Sequence, residues 1–90
     1  MPMTTASVPA LWRLARLGYD DVRRRPVLLY PEGAVLLNET GAAILALVNG
    51  TRTVGEIAGI LTDRYEQRDV TADVVEYLTH LAEKELIRDA

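Results

Sequence analysis

Apolar and polar positions follow two different rhythms along this chain. Between residues 26 and 37 they form two short, nearly continuous apolar runs, "PVLLY" and "AVLL", separated by Pro31, Glu32 and Gly33. Runs of this length between turn residues are strand-sized. Pro31 presets φ for the first central position of a turn and Gly33 tolerates positive φ. Residues 30–33 therefore read as a type I turn closed by a glycine bulge, and the flanking residues as a hairpin of 27–30 with 34–37.

From residue 39 onward the period lengthens to that of a helix. Asn38 can accept from the free amides of a helix starting at Glu39, which stops at Asn49-Gly50. Thr53-Val54-Gly55-Glu56 is a capping box, opening a second helix that ends near Tyr65. After a polar connection over residues 66–70, a third helix runs from about Thr71 to about Leu86. Val74, Leu78 and Leu81 form its central stripe, with Val75, Ala82 and Leu86 on one shoulder and Val70 and Tyr77 on the other. That arc is wider than one core contact needs.

Residues 1–9 are small, polar and without period, and read as a flexible N-terminal tail ahead of a domain spanning 10–90. The segment 11–19, "LWRLARLGY", fits either a strand or a short amphipathic helix, with extended structure favoured toward its end. The resulting fold class is α+β. It is a winged-helix-like arrangement, with a short N-terminal antiparallel β-sheet of two to three strands packed with three α-helices.

Ninety residues make one domain with one modest core. There is no Phe and only one Trp, so Leu, Val, Ile and Ala must fill that core. The absence of cysteine removes disulfides, thiolate nucleophiles and sulfur-ligated metals, which suits a reducing cytoplasm. The N-terminus lacks the pattern of a signal peptide, and no apolar run approaches a membrane span.

Charge is uneven. Residues 1–30 carry net +3 and residues 31–90 carry net −6, for −3 overall. Such a chain is a poor general binder of nucleic acid. Arg23, Arg24 and Arg25 sit beside a turn, where cations commonly solvate a sheet edge against aggregation. In a DNA-reading winged helix the third helix should project cations or amides at bases, yet this one opens with Asp73 and Glu76.

Catalytic groups are sparse. The only serine is Ser7 in the expected tail, and the only histidine, His80, has no metal-ligand partner motif. Asp20, Asp21, Glu32 and Glu39 are each explained by a turn or a helix start, and no phosphate-binding glycine pattern occurs. The residues point to binding, with neither a catalytic nor a metal site and no cofactor.

The stretches "VLLYPEGAVLLNETGAAIL", "NGTRTVGEIAGIL" and "DVVEYLTHLAEKELI" together resemble the PqqD family, the prototype of the RiPP recognition elements, over residues 11–87. Where that family commonly has a glycine after the third helix this chain has Glu85, which would let the helix run on; Asn49 stands where aspartate is common. The resemblance implies a peptide chaperone of pyrroloquinoline quinone biosynthesis, in the cytoplasm. Such a protein binds the precursor peptide PqqA as an added strand and presents it to the radical SAM enzyme PqqE. It further implies a peptide site at Ala34, Val35, Leu36 and Leu37 of the strand and Val74, Val75, Leu78 and Leu81 of the third helix. Strand addition accounts for the absence of reactive groups, because the product of such a stretch is an edge. The same edge permits a homodimer. The other readings are a recognition element of another modified-peptide pathway, a DNA-binding regulator, and, least favoured, a small enzyme.

Overall fold

The computed structural model describes residues 2–65 and 68–90. Among them are three helices and five strands in two antiparallel sheets, an α+β fold. The strands are β1 (Pro9–Leu11), β2 (Arg16–Asp20), β3 (Arg25–Tyr30), β4 (Gly33–Leu36) and β5 (Ile87–Asp89); the helices are α1 (Glu39–Ala46), α2 (Val54–Arg64) and α3 (Thr71–Glu83). β2-β3-β4 form one sheet in that order, and β1 pairs with β5 in a second. Residues 66 and 67 of the expected polar connection lie outside the described residues.

The ambiguous segment becomes β2, preceded by a turn in which the Ala15 amide donates to the Trp12 carbonyl at 2.8 Å. The β2–β3 turn is organised by Asp20. Its carboxylate accepts from the amides of Val22 and Arg23 and from the Arg23 guanidinium, at 2.9, 3.0 and 3.0 Å. The amide of Arg23, followed by its guanidinium, holds the Asp20 carboxyl below the usual carboxylate range.

The central strand begins earlier than the expected 27–30, at Arg25, so Pro26 lies inside it. Leu37 donates to the Pro26 carbonyl at 2.9 Å, but Pro26 has no amide to return to Leu37. Arg25 supplies the missing donor: its Nε reaches the Leu37 carbonyl at 3.3 Å. At the other end Pro31 and Glu32 form a two-residue turn with Gly33 in register opposite Tyr30. Gly33 has φ 159°, close to extended, so the expected left-handed glycine bulge is absent.

Both anticipated helix caps are present. The Asn38 side chain accepts from Gly41 at 2.7 Å, and Thr53 and Glu56 exchange bonds of 2.8 and 3.0 Å in a reciprocal box. The third helix, however, stops at Glu83 and does not run to Leu86. Glu85 takes φ 62°, its amide donates to Ala82 and that of Leu86 donates back to Leu81, at 2.9 and 3.1 Å. This is a Schellman closure, and the accompanying apolar contact is available because Leu81 and Leu86 are both buried. Burying Leu86 and Ile87 outweighs the strain of a left-handed glutamate. Glu85→Gly is therefore expected to stabilise the fold by about 0.5–1 kcal/mol, read as a raised midpoint in urea unfolding.

Residues 2–9 are not a tail. Met3 is buried, and its amide donates to Thr79 Oγ1 at 3.0 Å. The carbonyls of Ser7 and Thr5 accept from Val54 and Gly55 at 2.8 and 2.9 Å, satisfying amides at the start of α2. Val8 donates to Asp89 and accepts from Ala90, fastening β1 against β5. The boundary expected between residues 9 and 10 does not exist, because backbone groups, which leave no periodic pattern in sequence, make these attachments.

The core lies between the helices and the inner face of the three-stranded sheet. Leu28 and Leu37 from the sheet side meet Ile44, Leu45, Ile57, Leu61, Leu78 and Leu81 from the helices, all fully buried.

Candidate functional site

Among the described residues, β4 is paired on one side only, to β3. Inward and outward bonding alternate along an antiparallel ladder. Because Leu37 bonds inward to Pro26, the phase sends Val35 and Gly33 inward as well. The amides and carbonyls of Ala34 and Leu36 then point out along the free edge. Their side chains also share the sheet face away from the core, opposite Leu29 and Val27, and Leu36 is 42% exposed.

Helix α3 spans the length of this strand. At the end where β4 passes into α1, Tyr77 lies against Gly41. At the other end Ala82, Lys84 and Glu85 share a depression with Tyr30 and Glu32. Strand and helix therefore run antiparallel. A Cβ on Gly41 would lie 2.5 Å from Tyr77 Oη and 2.8 Å from Cζ, so glycine is what permits this approach. Gly41→Ala is expected to push Tyr77 off α1 and lower stability by about 1–3 kcal/mol, despite alanine's better helix propensity, in the same urea assay.

The eight residues expected to form the site separate into two groups. Ala34 and Leu36 are exposed, and Val35 and Val75 are partly buried against the core. Leu37, Val74, Leu78 and Leu81 are 1% exposed or less, so their side chains brace strand and helix from within. Of the eight, only the first four remain accessible.

A second set was missed. Asp73, Glu76, Tyr77, Thr79, His80 and Glu83 line a surface depression along α3. Five of them recur at 73, 76, 77, 80 and 83, a helical spacing as regular as that of the apolar stripe. The pattern is present in the sequence, but it is built from charged and polar residues and so leaves no apolar stripe. The face is acidic, and burial raises the Tyr77 hydroxyl above its ordinary pKa.

Chemically, this arrangement offers an open backbone edge, two outward side chains and an acidic helix face with a phenol. Ser7, the single serine, is buried and engaged with Thr4. No group of three or more His, Cys, Asp or Glu suited to a metal occurs among the described residues. No helix among them is long and apolar enough to cross a membrane.

Comparison with known proteins places these features in company. The family model described as coenzyme PQQ synthesis protein D (PqqD) matches residues 26–87. The PqqA binding protein of Klebsiella pneumoniae is 46% identical over 77 residues, covering 84% of each chain. The solution structure of the PqqD truncation of Methylobacterium extorquens PqqCD, described as a functional, stand-alone RiPP recognition element, superposes with a TM-score of 0.82 at 38% identity, over 96% of this chain and 94% of that one. The crystal structure of PqqD from Xanthomonas campestris gives a TM-score of 0.60 at 32% identity, over 96% and 98%.

Proposed function

Since the chain belongs to the PqqD family, we propose that it is the peptide chaperone of pyrroloquinoline quinone biosynthesis that binds the precursor peptide PqqA as an added strand on β4 and presents it to the radical SAM enzyme PqqE. The observation that carries this reading is the free edge of β4, with Ala34 and Leu36 turned outward in phase with the Leu37–Pro26 bond. Relatives named for binding PqqA support the identity of the peptide. Edge amides and carbonyls supply sequence-tolerant bonds, while Leu36, Val75 and the acidic α3 face supply selectivity.

In this reading the protein works in the cytoplasm, as a binder and not a catalyst. The two competing readings differ in ligand. A DNA-binding regulator would need cations on α3, where Asp73, Glu76 and Glu83 stand. Isothermal titration with PqqA, with a scrambled PqqA and with a short DNA duplex separates them. Saturable heat is expected with PqqA alone; heat with duplex alone would overturn the proposal, and equal heat with the scrambled peptide would remove its specificity.

A further inference from the structure

Two tyrosines stand at the two ends of β4, each lying against a glycine. Tyr30 is in register opposite Gly33, so both positions project to the same sheet face. The Tyr30 hydroxyl, at the far tip of its ring, comes within 3.5 Å of where a Gly33 Cβ would be. The ring therefore leans off β3 and across the first residue of the edge strand. At the other end the Tyr77 hydroxyl lies 2.5 Å from the Cβ position of Gly41, in the first turn of the helix that follows β4.

The fold itself makes no use of these hydroxyls. Both residues are partly buried, and a buried phenol usually finds a hydrogen-bond partner. Neither hydroxyl has one among the described residues, and neither is sealed away from solvent, so an incoming chain can reach both. Phenylalanine would fill the same space with no polar group to desolvate. What β4 lacks, in turn, is a means of fixing register. Its four residues turn only Ala34 and Leu36 outward, and an antiparallel ladder repeats every second residue. A peptide slipped by two residues would meet the same kind of backbone bonds, and the Ala34 side chain is too small to discriminate.

We propose that Tyr30 and Tyr77 are the register stops of the peptide site: each hydroxyl donates to a backbone carbonyl of the bound peptide just outside the β4 ladder, one at either end. A segment of about four residues, about 13 Å long, is then held in a single register. The inference rests on the chaperone reading above and adds two specificity-determining side chains to it. Because the phenols bond to backbone, they select where the peptide lies and leave the choice of its side chains to Leu36 and Val75.

The test compares the full chain with Tyr30→Phe, Tyr77→Phe and the double variant, and with Tyr19→Phe on exposed β2 as a control, each first shown to keep the wild-type amide spectrum and urea midpoint. Isothermal titration with PqqA is expected to show binding about two- to tenfold weaker in each single variant, the worth of one hydrogen bond, and close to the product of the two in the double variant. Tyr19→Phe should bind as the wild type does. Register is read separately, with PqqA carrying a nitroxide at one terminus: broadening of the labelled chain is expected at one end of β4 in the wild type and along the whole strand in the double variant. Wild-type affinity in either single variant would overturn the proposal, as would an equal loss in Tyr19→Phe, or weaker binding with the broadening still confined to one end. Failure of the chaperone reading looks different: the wild-type chain would then bind no PqqA, or bind it with no broadening on β4.

Discussion

Proline at position 34 is expected to weaken PqqA binding at least about tenfold while leaving the chain folded. In the ladder phase fixed by the Leu37–Pro26 bond, the Ala34 amide faces the free edge, so proline removes a donor that the fold does not use. An edge strand tolerates proline there. An incoming peptide loses one hydrogen bond, about 0.5–1.5 kcal/mol, and also meets the pyrrolidine ring where its backbone must approach. Leu36→Pro should behave alike. Val35→Pro is the contrasting case, because the Val35 amide bonds inward toward Leu28; that substitution should break the hairpin. A titration of all three, each paired with a urea unfolding curve, therefore reads the ladder phase directly.

Leu78→Ala is expected to lower stability by about 2–5 kcal/mol, the largest effect on the fold. Leu78 has no exposed surface and belongs to the central core cluster, so truncation leaves a cavity that its neighbours fill only in part. Against a total of about 5–10 kcal/mol for a domain this size, much of the population would unfold on mild heating. Val75→Ala, three residues earlier on the partly exposed shoulder, should change stability far less and peptide affinity more. Urea midpoints and PqqA affinities for the two variants separate the bracing residues from the contacting ones.

The helical half of the fold was legible because its signals are local. Asn38, Thr53 and Glu56 cap where their side-chain chemistry says they should. What was not legible depends on partners distant in sequence. The strand pair β1–β5 joins residues about eighty positions apart, and the arm from residue 2 to 9 is held by Thr79, Val54, Gly55 and Asp89, none of which its own composition announces. The end of α3 was misplaced for a subtler reason. Helix propensity favours Glu85, and only the burial of Leu86 and Ile87 makes its left-handed turn the better outcome. For the residues expected at the site, the elements that carry them were readable, but their accessibility was not. A stripe of Val74, Leu78 and Leu81 has the same sequence signature whether it packs inward or faces a ligand, and here it packs inward.

The most direct measurement of the central claim is amide hydrogen exchange of the labelled chain with and without saturating PqqA, read residue by residue by NMR. Strand addition on β4 expects the Ala34 and Leu36 amides to exchange quickly in the free protein and to become protected on binding, with Val35 protected in both states. Saturable PqqA binding that leaves Ala34 and Leu36 exchanging as before, with protection appearing on β2 instead, would contradict it.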